Sequence, residues 1–262
     1  MEPKVGLALG SGGARGFAHI GVLKVLKEEA IPIHCIAGSS MGSLVGAIFA
    51  VHQNPHMMEK VATHLKPKHW VDFTVPKMGL VAGEKVRELI RLLTHGKRLE
   101  ELSLPVAIVA TDLETGKEVI FTEGPIDKAV RASIAIPGIF NPVVENGRVL
   151  VDGGVVTRVP ITTLKAMGAD LVIAVDVVAE VPKIEIQSLF DVISQTIDVM
   201  ERQLYKTQAE HADVFIQPKV GHISSTDFTK AAECIAAGEK AARDKLAEIR
   251  RLIQSWPAKP RE

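Results

Sequence analysis

The chain has 262 residues, 47% apolar and 24% charged, the usage of an ordinary globular protein; disordered and collagen-like chains are excluded. Lysine plus arginine number 31 and aspartate plus glutamate also number 31, so neither a strongly basic nucleic-acid-binding face nor an acidic tail is expected. Aromatic residues are only 4%, which leaves Ala, Val, Ile and Leu to build the core, as in sheets buried on both faces.

Met1-Glu2-Pro3-Lys4 leads directly into the apolar run Val5 to Leu9, without the longer apolar region of a secretory signal. Gly10-Ser11-Gly12-Gly13 follows, and from Ala14 to Ala30 the residues Phe17, Ile20, Val22, Leu23, Val25 and Leu26 predict a helix. The unit repeats at once: strand Ile33 to Ala37, turn Gly38-Ser39-Ser40-Met41-Gly42, helix Ser43 to Val51. Strand, helix, strand, helix implies an α/β fold with a parallel sheet and right-handed crossovers.

Between His52 and Leu102 the pattern loosens, and prolines 55, 67 and 76 are expected to break it into short pieces. Its apolar residues (Met57, Met58, Leu65, Trp70, Phe73, Met78 and Leu80) make it a candidate cap over the sheet edge; a helical insertion without a gating role is the alternative. Further strands are expected at Val106 to Ala110, Val119 to Phe121, Val149 to Val151 and Leu171 to Val178, with Leu113 to Lys117 as a hairpin loop. Amphipathic helices are expected from Ile186 to Tyr205 and from Ala231 to Ile253. Cys35 and Cys234 lie in apolar surroundings and are expected to be buried thiols. No apolar stretch reaches the ~18–20 residues of a membrane span, so a soluble cytoplasmic protein is expected, with a single domain over 4–255.

Two of the turns can carry chemistry. Gly38-Ser39-Ser40-Met41-Gly42 matches G-x-S-x-G and stands between a strand and a helix, where a sharp reversal presents the central serine at the helix N-terminus. That frame selects Ser40 as a nucleophile. In the first turn, a dinucleotide fingerprint fails because its third glycine would fall on Arg15, and the second strand lacks a terminal acid for a ribose. An oxyanion hole fits better: adjacent glycine amides at Gly12 and Gly13, unobstructed by side chains and with Arg15 nearby, can face a developing alkoxide.

The serine needs a base. His211 and His222 come late enough for a triad, but the serine arrives after one strand–helix unit, earlier than in α/β-hydrolases. Asp112, Asp152 and Asp176 each end an apolar run, and position alone does not choose among them.

Taken together, Gly10-Ser11-Gly12-Gly13-Ala14-Arg15-Gly16, Gly38-Ser39-Ser40-Met41-Gly42, Arg131 to Phe140, and Asp152-Gly153-Gly154 resemble, in order, the blocks of the patatin-like phospholipase family. Within it the chain most resembles the bacterial branch related to the neuropathy-target-esterase catalytic domain. The resemblance implies a three-layer α/β/α sandwich around a mostly parallel sheet. It also implies a Ser40–Asp152 dyad, an oxyanion hole from Gly12, Gly13 and the Arg15 region, and hydrolysis of phospholipid or lysophospholipid acyl esters. A carboxylesterase or thioesterase on short acyl esters, and a catalytically idle family member, are the alternatives. Ser11 departs from the family's block, where another glycine is common; only a small change of loop shape is expected. No metal or other cofactor is implied, and no nucleic acid. The expected partner is a lipid or acyl-ester substrate, with transient contact at a membrane surface made through the apolar residues of 52–102.

Overall fold

A computed structural model describes residues 2–66, 68, 71–72, 74–75, 78–178, 186, 189–208 and 212–257. The ten strands among them are β1 (Val5–Leu9), β2 (Cys35–Ser39), β3 (Gly79–Val81), β4 (Val106–Asp112), β5 (Glu118–Phe121), β6 (Gly138–Phe140), β7 (Val143–Glu145), β8 (Arg148–Asp152), β9 (Leu171–Val175) and β10 (Val214–Ile216). The helices are α1 (Ala18–Glu28), α2 (Met41–His52), α3 (Pro55–His64), α4 (Glu84–Leu93), α5 (Ile126–Ser133), α6 (Ile161–Ala166), α7 (Leu189–Gln208) and α8 (Ala231–Gln254).

The main sheet runs β10-β9-β1-β2-β4-β8-β7, with β5 also paired to β4. From β10 to β4 every neighbour is parallel, whereas β5, β8 and β7 pair antiparallel. The central strands are continuous apolar runs because helices cover both faces. Leu7, Leu9, Ile36, Ile108, Ile173 and Val175 face the large core formed with α1, α2, α5 and α8. Ala8, Ala37, Ala107 and Ala174 face the other way, where their small side chains let Ile161 and Leu164 of α6 approach closely. The result is the three-layer α/β/α sandwich around a mostly parallel sheet that the resemblance implied.

Several boundaries differ from the sequence reading. β2 starts and ends two residues later than Ile33 to Ala37, and α1 is preceded by a 3₁₀ turn over Gly13–Phe17. Pro55 opens a helix where a break was expected: it occupies the first turn of α3, and the Asn54 side chain accepts from Met57 N. The stretch 52–102 also holds α4. Met58 is buried, and Met57, Leu65 and Leu80 are half-buried. Trp70 and Phe73 lie outside the described residues. Both cysteines are buried and free.

Candidate active site

Ser40 stands alone between the end of β2 and the start of α2, with φ 53° and ψ −125°, a left-handed conformation unusual for a residue with a side chain. The turn is forced tight. A Cβ on Gly42 would overlap Leu9 O of β1, and one on Gly38 would lie 2.5 Å from Ser43 Cα. Three hydrogen bonds hold the strained residue: Ser40 N donates to Ser133 Oγ (2.9 Å), Ser133 Oγ to Val109 O (2.6 Å), and Ser43 Oγ to Ser40 O (2.7 Å).

Sheet register brings the carboxylate to the serine. β4 pairs Val109 with Ser39 and Ala110 with Asp152, so the ends of β2 and β8 meet at adjacent rungs of one strand. Ser40 Oγ donates to Asp152 Oδ2 at 2.6 Å, while Asp152 Oδ1 accepts from Gly154 N at 2.8 Å. Burial pushes the Asp152 carboxyl up to about 7, outweighing the hydrogen bonds from Ser40 and Gly154 that favour its anion.

The competing bases lie elsewhere. Asp112 closes its own turn, accepting from Thr115 Oγ1 (2.9 Å) and Glu114 N (3.1 Å). Asp176 is buried in an ion pair with Arg158. His222 is exposed on the surface, 2.7 Å from Glu233 Oε1, and His211 lies outside the described residues. His19 is buried beneath the glycine turn, with Nε2 on Gly10 O at 2.8 Å; burial lowers its pKa to about 4, so it stays neutral.

The first turn is fastened at both ends. Gly10 N donates to Val175 O, Ser11 N to Arg158 O (2.9 Å) and Ala14 N to Ser225 O (2.8 Å). Between them, the amides of Gly12 and Gly13 have no main-chain partner among the described residues, and both glycines line a cavity with Ser40 and Asp152. Gly13 adopts φ 55°, and a Cβ there would overlap Ser225 O. Arg15 departs from its expected place in the hole. Its amide donates to Gly12 O, and its fully buried guanidinium donates to Asp198 Oδ2 and Ile223 O, both at 2.7 Å. It ties the turn to α7 and so acts as a strut.

Two cavities meet at Ser40. One, of about 260 Å³, is lined on its polar side by Ser11, Ser40, Asp152, Asp198 and Glu201. The other, of about 120 Å³, is apolar and lies among α2, α3 and α4, with Leu44, Ile48, Met58, Leu65 and Ile90 on its walls. Gly13, Ser40, Ile136, Phe140 and Phe228 border both. The apolar residues of α3 thus face inward onto this cavity. Among the described residues, no cluster of His, Cys, Asp and Glu could hold a metal ion.

Residues of α7 were missed as contributors to the site. Ser194, Asp198 and Glu201 all line the larger cavity, and they recur at spacings of four and three. That is a polar stripe within a helix read only for its apolar face, and the stripe was a usable signal. Ser133, within the Arg131 to Phe140 block, is a further contributor, since its hydroxyl holds the Ser40 amide.

The sequence model described as "Patatin-like phospholipase" matches residues 7–165, more than half of the chain. An uncharacterized NTE family protein of Mycobacterium tuberculosis is 43% identical over 176 residues, covering 66% of this chain and 49% of that protein. Lysophospholipase NTE1 of Pyricularia oryzae is 31% identical over 241 residues, covering 87% of this chain and 16% of the relative. Human patatin-like phospholipase domain-containing protein 6 is 33% identical over 183 residues, 66% of this chain and 13% of that one. The chain therefore spans about half or less of the length of these relatives. Among solved structures, VipD from Legionella pneumophila superposes with a TM-score of 0.68 at 14% identity, over 97% of this chain and 67% of VipD. Full-length ExoU of Pseudomonas aeruginosa, solved with SpcU, gives 0.52 at 13% identity, over 97% and 53%. At such identities these two report on the fold alone. With its sequence match and its fold in agreement, the chain belongs to the patatin-like phospholipase family.

Proposed function

We propose that this chain is a serine hydrolase that cleaves lipid acyl esters through a Ser40–Asp152 dyad. The observation that carries the reading is the 2.6 Å hydrogen bond from Ser40 Oγ to Asp152 Oδ2, at the junction of an apolar cavity and a larger one that also holds Ser11, Asp198 and Glu201. Asp152 accepts the serine proton as Ser40 Oγ attacks the ester carbonyl. The Gly12 and Gly13 amides then receive the oxyanion; each such donor is worth ~2.7–4 kcal/mol in comparable sites. Asp152 returns its proton to the departing alcohol and leaves an acyl-serine. Water, deprotonated by the same carboxylate, releases the acid and restores both groups. A carboxyl at about 7 suits this double duty, being a usable base and a usable acid near neutrality.

The smaller, almost wholly apolar cavity fits an acyl chain, and the larger one, where Ser11, Asp198 and Glu201 stand among apolar walls, fits the alcohol half. The substrate class follows as a phospholipid or lysophospholipid acyl ester, in keeping with relatives named as lysophospholipases. We take 4–255 as one catalytic unit, because α8 packs on α1 and β10 extends the same sheet. Membrane contact through 52–102 stays part of the proposal, with Val75, Met78 and Leu92 exposed there, and the outer side of α7 adds Leu189, Val192, Val199 and Met200.

A fluorophosphonate probe tests the nucleophile. Peptide mass mapping is expected to find the label on Ser40, and Ser40→Ala and Asp152→Asn are expected to abolish turnover of acyl esters while the fold persists. Label on another serine, or an equal loss in His222→Ala, would overturn the dyad.

A further inference from the structure

Helix α7 carries a second carboxyl into the site, and the mechanism above does not use it. Glu201 is only 5% exposed, its Oε2 accepts from Ser11 Oγ at 2.7 Å, and it lines the cavity that holds Ser40 and Asp152. A Cβ built on Gly154, whose amide orients Asp152, would run into Glu201 Oε1 and would lie 2.9 Å from Ser11 Oγ. Glu201 therefore touches both halves of the machinery: the glycine turn through Ser11 and the Asp152 support through Gly154. Asp198, one turn earlier, has Arg15 as its counter-ion, whereas the hydrogen-bond partner of Glu201 is a neutral hydroxyl.

We propose that Glu201 is a positioning residue that serves in its protonated form, holding the glycine turn through Ser11, and that its ionisation sets the alkaline limit of activity. The proposal rests on the dyad reading above. Its physical basis is the location of charge during the reaction. The transition state places a negative oxygen at the Gly12–Gly13 amides while Asp152 must be free to ionise and reprotonate. A carboxylate on Glu201 would add a fixed negative charge beside both, opposing the oxyanion and holding the proton on Asp152. A neutral carboxyl in the same place gives the hydrogen bond without that cost.

The surroundings favour the neutral form. Burial and the Asp152 charge push the Glu201 carboxyl well above the usual range, and Asp198 adds to this. The Ser11 hydroxyl and the Arg158 guanidinium pull the other way, with Arg158 also committed to Asp176.

The test is the pH dependence of kcat/KM on a water-soluble butyrate ester, measured on the full chain between pH 5 and 9.5. Wild type is expected to rise through about 7 as Asp152 ionises. It should then fall on the alkaline side by about tenfold per pH unit beyond the Glu201 ionisation. Glu201→Gln, which keeps shape and neutrality, should retain the rise and lose the alkaline fall. Ser11→Ala removes a donor that favours the carboxylate, so its alkaline fall should move to higher pH. The proposal is overturned if wild type shows no alkaline fall, if Glu201→Gln keeps that fall, or if folded Glu201→Gln is inactive at every pH. Should Glu201→Gln fail to fold, the direction of the Ser11→Ala shift decides: upward supports the proposal, and no shift or a downward one overturns it. Failure of the dyad reading is distinct, because the phosphonate probe would then label another serine or His222→Ala would lose as much turnover as Asp152→Asn.

Discussion

The backbone amide of Ser40 donates to the hydroxyl of Ser133, a residue 93 positions away at the end of α5. Ser133 Oγ donates in turn to Val109 O, so the strained serine is pinned to β4, the strand whose next residue pairs with Asp152. One hydroxyl thus sets the distance between the two proposed reacting groups.

Ser133→Ala is expected to leave the buried Ser40 amide without a partner, costing about 1–3 kcal/mol of stability. Turnover should fall by about tenfold as the elbow relaxes, with little change in KM, because misplaced reacting atoms weaken the chemical step more than binding. Urea unfolding and steady-state kinetics on one ester read the two effects. Unchanged kcat in a destabilised variant would limit Ser133 to a role in folding.

The Asp152 carboxyl makes stability depend on pH in a definite direction. The folded group binds its proton up to about 7, whereas the unfolded one releases it near the ordinary value of 3.8. Between these values the folded state holds the extra proton, so stability is fully present below the lower one and is lost as pH rises through the upper. Asp152→Asn cannot ionise and escapes this loss. Its Tm relative to wild type is therefore expected to climb between pH 4 and pH 8, by an amount equivalent to roughly 4 kcal/mol at most. Calorimetry at the two pH values checks it; a constant difference would contradict the buried-carboxyl account.

The apolar cavity behind Ser40 is expected to measure acyl chains. Ala62 of α3 lines it and is buried, so Ala62→Leu shortens the available space. A methylene left in water forfeits ~0.8 kcal/mol, and losing room for two corresponds to about a tenfold drop in kcat/KM for long acyl chains. Short-chain esters should be unaffected. An equal drop across chain lengths would place the acyl group elsewhere.

Arg15 and Asp198 form a buried pair joining the glycine turn to α7. Arg15→Met strands the Asp198 carboxylate and is expected to cost ~3–5 kcal/mol, most of it restored in the double variant Arg15→Met/Asp198→Leu. Denaturant midpoints of the two single variants and the double one close the cycle. No recovery in the double variant would mean that the pair does more than satisfy its own charges.

Legibility followed the range of the interactions. β1 was readable end to end because a central parallel strand is buried on both faces and so is apolar throughout. β2 runs on through Gly38 and Ser39, which are buried but carry no apolar signal. The elbow at Ser40 was visible because its strain is met by glycines two residues away. The pairing of Ser40 with Asp152 was legible only through the family resemblance, since Asp112 and Asp176 end equally apolar runs; strand order decides which carboxylate arrives, and strand order is not local. Pro55 was misread because a proline that breaks a helix interior also suits a first turn, and only the Asn54 cap tells the two apart. Glu201 gives no signal in the apolar periodicity of α7, and its contact with Ser11 spans 190 residues of sequence.

The glycine turn at the start of the chain is fixed from its far end. Ala14 and Arg15 bond to carbonyls of Ser225 and Ile223, and α8 lies on α1 so closely that a Cβ on Gly238 would overlap Ala18 O. During synthesis the ribosome therefore delivers Ser40 and Asp152 well before the segments that shape the turn beside them. A nascent chain halted before residue 223 is expected to carry an unarmed serine, inert to a phosphonate probe that labels the finished protein. Such an order would keep the proposed serine centre silent until α8 has docked.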